Sequence, residues 1–407
     1  MKTLGSIFRS GKFMVLTDQG LFSGTNFAVT IMLAKLLSPT DFGVFCSIVL
    51  VAYLFISIAN ALILQPFQVS GQKRQNSAAY SHFLFFCQLA FSLIVVVGSG
   101  LACGLMQAFS FSLWVAGFFV SALLMHDFAR KFYLAKNGLR NVLIIDALVA
   151  LWQIAALLLP AQSRGLNTML LLLGLSYLPA LIFFIYDLKP VWRTSGYWGR
   201  FFQAHQREGS WLGLVSFIQW GSGNLLVAAA GLFIGLQALG AFRLVQSLFG
   251  VLNILFQAFE NYVLPAASRL HSKSSTDARN YLLKTGLQSA LLIGIVLLAL
   301  FLYSDQVIDL ASAGKYSSYG YVVKGMCLLY FIIFLGYPVR LGIRLLLLNK
   351  SFFTGYLMSF CFSAIFLSTL LRHWQINGII AGLIANQVIM ILFWIFQLNK
   401  QKFYLWK

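Results

Sequence analysis

Runs of about 20 predominantly apolar residues recur along the whole chain, each long enough to cross a bilayer as a helix. They fall at 14–37, 42–64, 80–104, 108–126, 142–160, 166–186, 211–234, 238–264, 285–303, 319–337, 351–371 and 378–398. Hydrocarbon satisfies no backbone N–H or C=O, so a chain built this way must close its hydrogen bonds within helices. A transmembrane β-barrel would instead show ~10-residue alternating segments, which are absent. Of 407 residues, 60% are hydrophobic and 10% charged. Soluble proteins carry roughly a quarter charged residues. A soluble enzyme, a disordered regulator and a secreted disulfide scaffold are thereby excluded, and the fold class read from the sequence is an all-α integral membrane protein with twelve spans.

The net charge of +19 raises the question of nucleic acid, and the layout of the charges answers it. The loops on one side of the spans, with both termini, hold 23 Lys and Arg; those on the other side hold only Arg164, Lys315 and Arg372. The populous set includes Arg130, Lys131, Arg340 and Arg344, and its four acidic residues (Asp127, Asp187, Glu208, Asp277) leave +19 on that side. This is a positive-inside pattern, which puts both termini in the cytoplasm. The same side favours anionic lipid headgroups. No nucleic-acid partner is needed. The first apolar segment contains Asp18 and Gln19, so it reads as a retained helix rather than a cleaved signal.

The longest polar linker, 187–210, divides the chain near its middle, giving an N-terminal bundle at 1–208 and a C-terminal bundle at 209–407. The halves echo each other weakly. Ser23-Gly24-Thr25-Asn26 recurs as Gly221-Ser222-Gly223-Asn224, Phe42-Gly43-Val44-Phe45 as Leu239-Gly240-Ala241-Phe242, and Pro66 as Pro265, at offsets of 198, 197 and 199. Six spans per half gives both bundles one orientation, the parallel repeat found in several transporter folds, with a cavity between them. Six of seven prolines fall at span ends, where a missing N–H costs little; Pro179 lies inside a span and predicts a kink.

Ionisable groups within a bilayer cost about 2.5–3.5 kcal/mol or more, so they sit in protein interior or water. Asp18, Lys35, Asp146, Arg243, Glu260 and Lys324 fall inside the spans. Lys35 is near enough to a span end to snorkel, and Lys324 either snorkels or faces inward. The carboxylates of Asp18, Asp146 and Glu260 are too short for that and are candidates for a coupling ion. Span eight carries Arg243, Gln246, Gly250, Asn253, Gln257 and Glu260 at spacings of 3, 4, 3, 4 and 3, one face of one helix. That stripe is either a cavity lining or hydrogen-bonded glue between helices. Span one repeats it more weakly with Gln19, Ser23, Asn26 and Thr30. Arg340 and Arg344 lie one turn apart, suited either to a diphosphate or to an ordinary cytoplasmic anchor.

No HExxH, paired acid/base carboxylates, nucleophile elbow, P-loop or metal-ligand spacing occurs, so neither enzyme activity nor a cofactor is expected. The five cysteines read as small apolar core residues.

These residues resemble the Wzx-type polysaccharide flippases of the multidrug/oligosaccharidyl-lipid/polysaccharide exporter superfamily. The resemblance rests on Asp18-Gln19, Ser23 and Asn26-Phe27 in span one, Leu33-Ala34, and Phe42-Gly43-x-Phe45. It continues with Arg130-Lys131-x-Tyr133, Trp211, Asn224, Ala238-Leu239-Gly240-x-Phe242-Arg243 and Asn261-Tyr262-x-x-Pro265. It implies two six-helix bundles opening alternately to each side of a bacterial inner membrane. The implied cargo is an undecaprenyl-diphosphate-linked oligosaccharide for O-antigen, capsule or exopolysaccharide assembly, and the implied partners are a polysaccharide polymerase and its chain-length machinery. Only Asp18, Asn26, Arg243 and Asn261 lie in matching motifs. Two rivals stand beside this reading: an H⁺- or Na⁺-coupled small-molecule exporter of the same superfamily, and a membrane-embedded polysaccharide polymerase or ligase.

Overall fold

The computed structural model describes residues 11–69, 77–105, 112–158, 165–191, 196, 198–250, 252, 256 and 262–406, and among the described residues there is no β-strand. The fold is all-α. Its helices are α1 Gly11–Leu36, α2 Pro39–Ala59, α3 Gln65–Val69, α4 Ala78–Leu105, α5 Leu113–Ala135, α6 Leu139–Leu158, α7 Leu166–Ser176 and α8 Leu178–Leu188. They continue as α9 Trp198–Phe233, α10 Leu236–Leu248, α11 Leu264–His271, α12 Ser275–Leu302, α13 Ser304–Ser312, α14 Gly320–Leu335, α15 Tyr337–Leu345 and α16 Asn349–Lys400. Among the described residues, nine helical segments are long and apolar enough to cross a membrane.

Two departures from the sequence expectation have clear causes. The fourth span does not stop at 126: α5 continues to Ala135, because Asp127–Lys131 is an i,i+4 ion pair and Arg130 finds buried partners in Asp18 and Asp146, which keep the charged segment helical. Arg130, read above as a loop anchor, is therefore a buried helical residue. The linker 187–210 is helical in its second half, since α9 begins at Trp198 and sets Phe201 and His205 against Tyr80 and Phe83 of α4. The last two expected spans, 351–371 and 378–398, are two helices within α16 that meet at Gln375, whose φ of 48° and ψ of −127° reverse the chain between them. Beyond that break, Gly378 lies against the backbone of Leu370.

The proline reading is met locally. The sixth span splits at Tyr177 into α7 and α8, with Pro179 in the first turn of the second piece. At Pro66 the helix loosens into a π turn, Asn60–Leu64. In α-register the carbonyl of Leu62 would take its bond from residue 66, and proline has no N–H to give. His205 on α9 fills that role: its Nδ1 lies 2.9 Å from the Leu62 carbonyl and its Nε2 2.7 Å from the Tyr80 hydroxyl.

The chain divides into two compact units. Unit 1 is Met1–Leu37 with Val44–Phe217; unit 2 is Ser38–Gly43 with Ile218–Lys407. The core of unit 1 includes an aromatic cluster in which Phe67 stacks on Phe132 at 5.5 Å and meets Tyr80 at 5.5 Å, with Phe128 and Phe184 beside Phe132. In unit 2 the two echoing glycines approach each other closely. A Cβ on Gly240 would lie 3.2 Å from the Gly43 backbone nitrogen and 2.9 Å from the Tyr316 hydroxyl, while one on Gly43 would collide with the Leu236 carbonyl. The buried Tyr316 donates to the Pro39 carbonyl at 3.1 Å, fixing the segment that leads into α2.

Candidate functional site

Four residues of unit 1, two acidic and two basic, converge on one buried cluster. Asp18 comes from α1, His126 and Arg130 from successive turns of α5, and Asp146 from α6. Arg130 Nη2 donates to Asp18 Oδ2 at 2.6 Å, and its Nε donates to Asp146 Oδ2 at 2.6 Å. His126 Nε2 stands 3.1 Å from Asp146 Oδ1, at ion-pair distance but not aligned as a hydrogen bond. The four residues are 2–7% exposed, which puts the cluster in the interior rather than at a headgroup surface. Phe22 covers it from α1, with the Arg130 guanidinium 3.9 Å from its ring centroid. The π face offsets part of the guanidinium's lost hydration.

Each of these ions has given up water, a penalty of several kcal/mol, and only close pairing offsets it. Arg130 suits the task because a planar, permanently charged fork engages two carboxylates at once. Two polar atoms stay unpaired in the cluster, Asp18 Oδ1 and His126 Nδ1. Beside it opens a narrow cleft lined by Phe22, Thr25, Asn26, His126, Asp146, Val149, Gln153 and Tyr177. The Tyr177 ring, at the α7–α8 break, lies 5.2 Å from that of His126. A break in a span exposes polar backbone, which a membrane protein tolerates where protein or a watery cavity receives it.

Of the sequence candidates, Asp18 and Asp146 are thus brought together, and Asn26 lines the same cleft. Gln19 donates to Ser23 Oγ at 3.1 Å, and Thr30 donates to the Asn26 carbonyl at 2.7 Å, so the span-one stripe satisfies itself in part. In unit 2, Arg243 Nη1 donates to Gln246 Oε1 at 2.6 Å along α10. Asn253, Gln257, Glu260 and Asn261 lie outside the described residues. Lys324 sits 6.0 Å from the Phe301 ring. Arg340 lies 5.7 Å from Tyr337 and 5.9 Å from Phe352, with the half-buried Arg344 one turn on.

Sequence reasoning missed His126 and Arg130 as members of the site. Their i,i+4 spacing was the available signal: with Asp127 and Lys131 it marks a helix continuing past the apolar run.

A multidrug resistance MATE family transporter of the MOP superfamily, in its inward-facing conformation, is similar with a TM-score of 0.70 at 11% identity, over 94% of this chain and 95% of that chain. The lipid II flippase MurJ, in an inward closed conformation, has a TM-score of 0.70 at 11% identity, over 97% of this chain and 89% of that chain. A MOP superfamily transporter from Pyrococcus furiosus has a TM-score of 0.53 at 12% identity, over 96% of each chain. Neither a protein-family model nor a curated protein sequence matches the chain. At these identities the likeness is one of fold: the chain has the fold of MOP superfamily transporters.

Proposed function

We propose that this protein is a membrane transporter, not an enzyme, that flips an undecaprenyl-diphosphate-linked oligosaccharide from the cytoplasmic to the outer leaflet of a bacterial inner membrane. It works by alternating access of two six-span bundles with both termini in the cytoplasm. The observation that carries this reading is the likeness, along nearly the whole of both chains, to a flippase of a lipid-linked substrate. The charge distribution supports it, since 23 basic residues on one face suit a diphosphate collected from the cytoplasmic leaflet. In this reading Asp18, Asp146 and Glu260 serve the coupling ion. Arg243, Gln246, Asn253, Gln257, Glu260, Asn261, Asp18, Gln19, Asn26, Lys324, Arg340 and Arg344 serve the substrate path.

A drug exporter is the second reading, favoured by the equal TM-score to a multidrug transporter. A deletion strain separates the two. The flippase reading expects lipid-linked repeat units to accumulate on the inner leaflet, with loss of surface polysaccharide. Normal polysaccharide with increased retention of cationic dyes supports the exporter instead. Repeat units that reach the outer leaflet but stay unpolymerised support a polymerase or ligase.

A further inference from the structure

Helix α12 turns its apolar side outward more fully than the other spans. Of the nine membrane-capable segments among the described residues it is the least buried. Leu287, Leu291, Ile295, Leu298 and Leu302 are exposed along it at spacings of 4, 4, 3 and 4, one stripe of one helix. Lys284 opens the same stripe three residues before Leu287. It is exposed and, among the described residues, makes no hydrogen bond or ion pair. A lysine at the end of an apolar stripe lays its stem on the hydrocarbon and its ammonium among the headgroups.

Arg279 lies one and a half turns closer to the helix start, about 7.5 Å along the axis. It is half-buried against the segment that follows α16, where its Nη1 donates to the Tyr404 carbonyl at 3.2 Å. That segment is fixed in turn, since Phe403 and Leu405 are buried and the His271 ring meets Phe403 at 6.1 Å. The guanidinium is therefore held in place, with its Nε buried and unpartnered. A carbonyl does not neutralise it. Among the described residues no carboxylate stands within ion-pair distance of Arg279 or Lys284, and the exposed Asp277 pairs with neither.

We propose that Arg279 and Lys284 bind one acidic phospholipid on the outer surface of unit 2. The Nε–Nη2 edge of Arg279 receives the headgroup phosphate as a fork, and the Lys284 ammonium adds the second charge. An acyl chain then lies along Leu287, Leu291 and Ile295, within a leaflet whose hydrocarbon is about 15 Å deep. Charge complementarity selects the occupant. Two cations without an acidic partner favour a headgroup of net negative charge, which a zwitterionic lipid lacks, and the apolar stripe favours a chain, which free phosphate lacks. In the orientation proposed above this is the cytoplasmic leaflet. The site stands apart from the substrate path, so it is independent of what the protein carries.

Native mass spectrometry of the full-length protein in an uncharged detergent tests this, with phosphatidylglycerol or phosphatidylcholine added. One phosphatidylglycerol is expected to be retained in preference to phosphatidylcholine. Arg279→Gln and Lys284→Gln should each weaken that retention about fivefold, the worth of one basic residue near an acidic membrane surface. Arg140→Gln removes an exposed cation from α6 in unit 1 and should leave it unchanged. Lys284 has no protein partner to lose among the described residues, so Lys284→Gln keeps the test open should Arg279→Gln fail to fold. Equal weakening in all three variants overturns the site in favour of diffuse attraction to a basic face, and so does equal retention of the two lipids. Inorganic phosphate that displaces phosphatidylglycerol at matched concentration overturns the lipid assignment and leaves an anion pocket. A dimer in place of the lipid adduct overturns it too, because a second copy then covers α12. None of these readings involves transport, so their failure leaves the flippase reading untouched, and the failure of that reading leaves them standing.

Discussion

Arg130 Nε and Asp146 Oδ2 are 2.6 Å apart in the interior of unit 1, joining α5 to α6, and the same guanidinium reaches α1 through Asp18. Three helices are held by one side chain. An arginine inside a span is a liability unless its partners stand in place, so the cluster makes the packing of these helices interdependent.

Arg130→Ala is therefore expected to cost about 3–5 kcal/mol, the usual price of stranding a buried partner, read as a lower melting temperature and folded yield in detergent. Asp18→Asn added to Arg130→Ala recovers part of that loss by removing one stranded charge, a coupling that a double-mutant cycle measures. Arg130→Lys falls between, since an ammonium cannot fork to both carboxylates. No recovery in the double variant would assign the loss to packing on Phe22 instead.

The α9 clamp gives a second expectation. A carbonyl only accepts, so His205 Nδ1 carries the proton toward Leu62, and the neutral ring's Nε2 accepts from Tyr80. Tyr80→Phe removes that donor and is expected to cost about 1–2 kcal/mol of unfolding stability. His205→Ala costs more, because it also withdraws the bond to the carbonyl that Pro66 cannot serve. Limited proteolysis near residues 198–210 should quicken in both variants, more in the second; equal protection in wild type and variants would refute the clamp.

Much of this was legible in the sequence. The all-α fold with its nine membrane-capable segments among the described residues follows from apolar runs, the α7–α8 break from Pro179, and the interior placement of Asp18 and Asp146 from the cost of short carboxylates in a bilayer. The membership of Arg130 and His126 was not, because a hydropathy window ends where charges begin. Such a window does not register that those charges find partners 112 and 16 residues away. The helical first half of α9 was hidden for a related reason: its reason to fold is the aromatic surface of α4, distant in sequence. The Gly43–Gly240 approach was half visible, as an echo of motifs without a sign that the two copies meet.

That approach can be tested directly. Gly43→Ala puts a methyl group against the Leu236 backbone carbonyl, which cannot step aside, and is expected to cost toward the top of the 1–3 kcal/mol range for overpacking. Gly240→Ala meets the Tyr316 hydroxyl at 2.9 Å, a side-chain atom, so Tyr316→Phe in that background should recover part of the loss. Thermal unfolding of the wild type and these three variants decides it. A Gly43→Ala as stable as wild type would show that the approach is not tight.

Unit 2 has its own buried polar contact, and it is neutral. Asn386 Nδ2 donates to the Ser222 carbonyl at 2.9 Å and to Ser363 Oγ at 2.7 Å. Asn386→Asp replaces a donor with an acceptor facing a carbonyl and is expected to destabilise more than Asn386→Ala, which leaves the carbonyl only unpaired, at about 1–3 kcal/mol. The ranking is read from melting temperatures near neutral pH. It should reverse or vanish at low pH, where a protonated Asp donates again.

The last expectation separates a working α10 face from helix glue. Arg243 donates to Gln246 at 2.6 Å, so Gln246 holds the guanidinium in place without neutralising it. If Arg243 meets a diphosphate or an acidic sugar, Arg243→Ala abolishes transport while the protein still inserts, and Arg243→Lys keeps part of it. Gln246→Glu is the sharper variant. A carboxylate at that position pairs with Arg243 and competes with phosphate, so transport per folded molecule should fall further than in Gln246→Ala. Glue predicts the opposite, because the charged pair holds better than the neutral one, with stability raised and transport per folded molecule unchanged. Cysteines placed singly at 243, 246 and 250 and probed with a water-soluble thiol reagent supply the independent check. Reaction at these positions supports a solvated face, and complete protection of all three in every conformation leaves only the glue.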